Sequence, residues 1–280
     1  MRLVPAAIAV TVASLLLIGC RPSPSAPTDG LSGTVELSGS STIAPLATEI
    51  GKRFESTHPG VRINVQTGGS SRGIADAGRG IVDIGMSSRG LKDSEREGRK
   101  EWRIAMDGVC FLVHASNPAT DLTREQLVEI YTGKIDNWSA FGGSDRPITV
   151  INRAAGRSEL ELVTKFFGLK AEEIKADLIA GENQQGIKMV ANDPLAIVYM
   201  SVGASEFAVN EGTKIKLLPL DGVAASVANV AAGKFPLSRP LIFVTSPDPS
   251  ELAMEFIRYA QSREVHDLVR ELAYVPIEGG

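Results

Sequence analysis

Residues 35–86 constrain the fold of this chain more than any other stretch. Val35 to Ser38 begins a strand, and Gly39-Ser40-Ser41-Thr42 is a polar turn. Pro45 then stands in a first helical turn, and Leu46, Ile50 and Lys52 to Phe54 carry that helix to the stop at His58-Pro59-Gly60. Val61, Ile63 and Val65 alternate with polar residues, which predicts a second strand. It leads into a second polar turn, Gly68-Gly69-Ser70-Ser71-Arg72-Gly73, then a helix-like segment and a short buried strand, Ile81 to Met86. This βαβα order builds a sheet with helices on its faces, so the chain is α/β.

The turns carry chemistry as well as topology. Glycines let backbone approach a ligand, and the exposed N–H groups at a helix start form an anion seat. Serine hydroxyls add rotatable donors, and Arg72 and Arg89 add charge. The combination suits a small oxyanion held by many short hydrogen bonds. A Gly-Ser turn before a helix is also, by itself, an ordinary cap.

The first residues read as targeting. Met1-Arg2 is positive, Leu3 to Ile18 is apolar or small, and Leu17-Ile18-Gly19-Cys20 follows. The apolar run is shorter than a membrane span and ends in small residues, which favours secretion with cleavage. A cysteine after a Leu-x-Gly ending resembles the bacterial lipobox, which makes Cys20 the lipidated first residue of the mature chain. Arg21 to Gly30, rich in Pro and Ser, reads as a tether. The remaining ~250 residues suffice for one large or two ordinary α/β domains.

A net charge of −4 and a pI of 5.6 argue against nucleic acid, and no basic-aromatic interleaving contradicts that. Cys110 lies in the apolar run Val109 to Val113 and reads as an inert core thiol. His58, His114 and His266 are far apart with no metal-ligand spacing, so no metal or cofactor is expected.

Farther on, Lys92 to Lys100 reads as a charged helix, and Arg103 to Val113 as a long strand able to cross between two lobes. Asp121 to Tyr131 predicts a short helix. Ile148 to Ile151 is a strand that delivers Arg153 and the turn Gly156-Arg157-Ser158-Glu159 to a helix, Leu160 to Phe167, closed at Gly168. Ser158 and Glu161 have the spacing of a capping box, and a ligand at Ser158 would use the same helix-start N–H groups. A helix from Asn183 to Ala191, a buried strand from Leu195 to Tyr199 and a second crossing strand from Leu241 to Thr245 follow. The amphipathic helices Glu251 to Gln261 and Glu264 to Ala273 end the chain.

Taken in order, these pieces resemble a family. The lipobox, Gly39-Ser40-Ser41-Thr42, Gly69-Ser70-Ser71, Val82 to Ser88, Ile130-Tyr131 to Asn137-Trp138, Arg153 with its downstream glycine, and Pro236-Leu237-Ser238-Arg239-Pro240 resemble the phosphate-binding lipoproteins of bacterial ABC importers. The resemblance runs from about Leu37 to about Val275. It implies a two-lobed periplasmic-binding-protein fold of type II topology, with two α/β lobes joined by two crossing strands and the anion in the cleft. The expected divisions are a signal peptide at 1–19, a tether at 20–32, one lobe at 33–112 with 239–280, and the other at 113–238.

The resemblance also implies ligand contacts from Ser41, Thr42, Ser70, Ser71, Ser88, Arg153, Arg157 and Ser158. Two departures bear on the ligand. Ser88 stands where many members carry an aspartate that accepts the proton phosphate retains and sulfate lacks. Gly156-Arg157-Ser158-Glu159 stands in place of Gly-Ser-Gly-Thr. Glu159 either supplies the missing proton acceptor, held near Arg157, or faces solvent in the first helical turn. Arg72 is either a cleft charge or a solvated helix residue.

The expected role is an extracytoplasmic lipoprotein, anchored at Cys20 and monomeric, that captures inorganic phosphate and hands it to an ABC permease. The alternatives are another tetrahedral oxyanion (sulfate, tungstate, molybdate) or an anion sensor without transport. An enzyme would need a nucleophile with a base, or a metal cluster, and neither assembles from three scattered histidines and one apolar cysteine.

Overall fold

A computed structural model describes residues 30–277. The targeting segment, Cys20 and the tether up to residue 29 lie outside the described residues. Leu31, at the tether's predicted end, already packs on the core.

The first part of the chain runs β1 (Gly33–Gly39), α1 (Ala44–Thr57), β2 (Val61–Thr67), α2 (Ser70–Gly78), β3 (Ile84–Ser87) and α3 (Asp93–Arg96). The crossing strand β4 (Lys100–His114) follows, then α4 (Arg124–Tyr131), β5 (Thr149–Arg153), α5 (Ser158–Phe167), β6 (Leu178–Ala180) and α6 (Asn183–Asn192). Next come β7 (Ala196–Ser201), α7 (Val202–Asn210), β8 (Ile215–Leu218) and α8 (Val227–Ala231). The return strand β9 (Ser238–Thr245), α9 (Glu251–Gln261), α10 (His266–Glu271) and β10 (Val275–Pro276) complete the order.

The strands form one continuous path, β2-β1-β3-β9-β4-β7-β5-β6, with β8 and β10 also paired to β4. β1 lies parallel to β2 and β3, as helix crossovers require. β4 spans the molecule. Its first half, Lys100 to Gly108, pairs antiparallel with β9, and its second half pairs with β7 and β8.

The core divides where β4 changes partners. One apolar cluster draws on residues between 35 and 105 and between 241 and 274, and the other on residues between 109 and 237. Each cluster is buried between its own sheet half and its own helices. Two cores joined by the antiparallel pair β4–β9 make two lobes on a two-strand hinge. Cys110 lies in the second core, fully buried, and burial pushes its thiol well above the usual range.

Several elements differ from the sequence expectation. The strand predicted over Ile81 to Met86 begins only at Ile84, and Ile81 is 61% exposed. The Ile81 N–H remains tied to the Asp76 carbonyl, which prolongs the end of α2 and turns the side chain outward. The charged segment Lys92 to Lys100 holds only one short helical turn. Gly98 has φ +67°, a left-handed conformation that breaks the helix, and Lys100 already belongs to β4. The last predicted helix splits into a 3₁₀ turn, Arg263–Val265, and α10.

Candidate functional site

The two lobes meet at three polar turns, each delivered by the carboxyl end of a parallel strand. β1 ends in Gly39, whose φ of +134° lets the chain bend sharply into Ser40 to Thr42. β2 delivers Gly69, with φ +94°, and a Cβ there would lie 2.8 Å from the Gly156 carbonyl of the other lobe. Only glycine allows that approach, and the Ser71 N–H donates to the same carbonyl at 3.2 Å. β5 delivers Arg153 and the first turn of α5.

The hydroxyls of the two lobes interlock. Ser40 Oγ donates to Ser88 Oγ at 2.9 Å, and Ser88 Oγ lies 2.7 Å from Ser158 Oγ across the cleft. Ser70 Oγ accepts from the Ser88 N–H at 3.2 Å. Thr42 Oγ1 accepts from Asn183 Nδ2 at 3.0 Å. Ser40, Thr42, Ser70, Ser88, Ser158 and Asn183 are all buried. Five of these six carry hydroxyls, which donate or accept as the ligand requires.

Charge is concentrated beside them. Arg153 and Arg239 have fully buried side chains. Arg153 donates to the Ala180 carbonyl and to Asn183 Oδ1, each at 3.2 Å, and among the described residues nothing accepts from its Nε. Burial pushes the Arg153 guanidinium below its ordinary value, while Glu159 favours its charged form. Below Arg153, Tyr199 Oη donates to Asn152 Oδ1, which also accepts from the Arg153 N–H at 2.8 Å and so fixes the end of β5.

Arg239 is the hub that sequence reasoning missed. Its Nη1 donates to Ser158 Oγ at 3.0 Å and to Glu159 Oε1 at 2.9 Å, and its Nη2 donates to Thr42 Oγ1 at 3.2 Å. Asp107 receives from its Nε and Nη2 at 3.1 and 2.8 Å. The motif Pro236 to Pro240 marked this stretch, but only the register of β9 against β4 aims the side chain into the cleft. Asn183, at the first turn of α6, was likewise visible only as a helix start.

Glu159 is not in solvent. It is 2% exposed, and its carboxylate accepts from Arg239 and from Thr42 Oγ1 at 3.1 Å, with Arg153 Nη2 at 3.6 Å. Burial opposes its ionisation, but Arg239, Arg153 and its own backbone N–H together hold the carboxyl down to about 2. The capping box expected of Ser158 and Glu161 is also absent. Arg157 holds the N-cap position, Ser158 Oγ is used across the cleft, and Glu161 reaches the opposite lobe.

That reach forms a clasp. Glu161 accepts from Ser71 Oγ at 2.8 Å and pairs with Arg89 at 3.0 Å and Lys92 at 2.6 Å. The other expected residues sit at the rim. Ser41 is half-buried and lines an interlobe groove of about 430 Å³ with Glu182, Asn183 and Tyr274. Arg157 donates to Glu182 at 2.8 Å, outside the buried cluster. Arg72 is a solvated helix residue, its side chain 62% exposed and paired with Asp76 one turn on.

Two α/β lobes on a two-strand hinge, with helix starts, hydroxyls and buried guanidinium groups converging in the cleft, define a binding protein of the periplasmic type, built to enclose a small anion. Comparison with known proteins agrees. The family model for the PBP superfamily domain matches residues 24–264. The phosphate-binding protein PstS of Bacillus subtilis (strain 168) is 30% identical over 259 residues, covering 88% of this chain and 81% of that one. A candidate phosphate ABC transporter substrate-binding protein from Clostridium perfringens, solved with bound phosphate, is 33% identical with a TM-score of 0.81, covering 88% of this chain and 100% of that one. An ABC-type phosphate transport receptor from Vibrio cholerae is 29% identical with a TM-score of 0.71, over 87% of this chain and 100% of that one. The chain belongs to the PBP superfamily and, within it, to the family of the PstS phosphate-binding proteins.

Among the described residues no helix is long and apolar enough to cross a membrane, and no group of three or more His, Cys, Asp or Glu is placed to hold a metal ion.

Proposed function

We propose that this protein captures inorganic phosphate between its lobes and delivers it to an ABC importer. The observation that carries the reading is the buried cluster spanning the cleft, in which Arg153 and Arg239 stand beside the hydroxyls of Thr42, Ser88 and Ser158. Two guanidinium groups match the charge and planar edges of a tetrahedral oxyanion. The family's phosphate binders, and the phosphate-bound relative above all, support the choice of ligand.

In this reading Arg153 is the charged anchor from the second lobe, with Ser158 beside it at the start of α5. Thr42, Ser70 and Ser88 supply hydroxyls from the first lobe, and Ser41 and Ser71 stand at the rim. Arg157 acts through Glu182 at the groove and not at the anion. The lobe boundaries fall where the β4–β9 pair ends, near residues 108 and 238; residues 109–112, expected in the first lobe, pack in the core of the second. Donors from both lobes reach the anion only when the cleft is closed, so binding stabilises the closed form. The closed, loaded form is what a permease would recognise.

The remaining assignments complete the picture: lipidation at Cys20 and a tether holding a monomer at the outer face of the membrane. Ser88 adds one refinement. A hydroxyl in place of a carboxylate removes the charge that would repel fully ionised sulfate, so selectivity over sulfate is modest. The function is tested in cells lacking this chain, as uptake of labelled phosphate at low concentration. Wild-type chain restores uptake and Arg153→Ala does not; equal restoration by both would remove the cleft from the process.

A further inference from the structure

We propose that the Glu159 carboxylate occupies the anion seat itself, as a tethered internal ligand that an incoming oxyanion must displace. The proposal rests on the reading of the cleft as a phosphate site, and it adds what phosphate must displace there.

Two observations carry it. First, the carboxylate has the partners a bound oxyanion would need. It receives the Thr42 hydroxyl at 3.1 Å and Arg239 Nη1 at 2.9 Å, lies 3.6 Å from Arg153 Nη2, and sits in the first turn of a ten-residue helix. Its own backbone N–H also favours its charge. A carboxylate presents two oxygens at an edge, which is the geometry a phosphate presents to the same donors.

Second, the charges already balance. Arg153 and Arg239 face Glu159 and Asp107, two positive against two negative, in a region closed to water. A divalent anion entering with Glu159 in place would leave two uncompensated buried negative charges. With Glu159 swung out, the cluster is positive by one and suited to an anion.

The consequence is a weakened and self-protected site: the carboxylate keeps the two guanidinium groups paired until phosphate competes for them.

The test is calorimetric titration of phosphate into wild-type protein, Glu159→Gln and Glu159→Thr. The proposal expects both variants to bind phosphate about tenfold more tightly than wild type, or better. Unchanged or weaker binding in the variants, with wild type binding phosphate, overturns it while leaving the function standing. Binding by the variants alone supports it, and shows instead that the wild-type chain is no phosphate carrier. Binding by none of the three overturns both. A structure of the wild-type protein with phosphate needs no variant. Glu159 displaced from Arg239 by the phosphate supports the proposal, and Glu159 still on Arg239 with phosphate beside it overturns it.

Discussion

Asp107 and Arg239 stand opposite one another in register on β4 and β9, and Arg239 Nη2 donates to Asp107 Oδ2 at 2.8 Å with both side chains buried. The pair sits on the two strands that join the lobes. It therefore aims the guanidinium, from the hinge itself, at Glu159 and Ser158 of one lobe and Thr42 of the other. Hinge and anion site share one residue. Asp107 further accepts from the Gly203 N–H at 3.0 Å, which locks it to the start of α7.

Removing Asp107 leaves a buried guanidinium with one carboxylate in place of two. Asp107→Ala should destabilise the protein by roughly 3–5 kcal/mol, the range for breaking a buried ion pair. Urea denaturation measures it. A loss below about 1 kcal/mol would show that Arg239 finds an equal partner elsewhere.

Acid should act through Glu159. Its carboxyl titrates at about 2 in the folded protein against an ordinary value of 4.5, so the native state holds it ionised more strongly than the unfolded chain does. A depressed folded value means the stabilisation is fully present above pH 4.5 and is lost as pH falls from there toward 2. Its size is on the order of 3 kcal/mol. Denaturation curves of wild type and Glu159→Gln at pH 7 and pH 3 should differ less at the lower pH. A constant difference would place the effect elsewhere.

The clasp on Glu161 should favour closure. It ties α5 to Ser71, Arg89 and Lys92 of the opposite lobe without touching the anion cluster. Glu161→Ala should weaken phosphate binding by about tenfold through loss of the closed form, mostly as faster release. Stopped-flow release rates check this, and an unchanged rate would reduce the clasp to a surface pair.

Membrane attachment should depend on a single thiol. Cys20→Ser should move the protein from the membrane fraction to the soluble one, and an unchanged distribution would contradict lipidation there.

Much of the fold was legible because it is written locally. The alternation of β2, Pro45 in the first turn of α1 and Gly168 closing α5 are each decided within a few residues. The ends of elements were less so: Ile81 and Gly98 depend on where a helix stops, which tertiary hydrogen bonds decide. In the site, Arg153, Thr42, Ser88 and Ser158 were expected because the turns that carry them resemble the motifs of the family, and the structure places all four in the buried cleft. Arg239 was not expected. It lies in a strand whose register alone sets which way the side chain points, and its partner Asp107 is distant in sequence. The expected cap between Ser158 and Glu161 misled for a related reason. The spacing of Ser158 and Glu161 satisfies a local helix cap, yet both side chains find stronger partners across the cleft.

The central claim is that phosphate binds between the lobes on Arg153. Calorimetric titration of phosphate into protein stripped of anion, wild type beside Arg153→Ala, tests it most directly. Wild type should bind one phosphate per chain and Arg153→Ala should show no measurable binding, with both proteins melting cooperatively. No heat with phosphate in either wild type or variant, or the same binding in both, would contradict it.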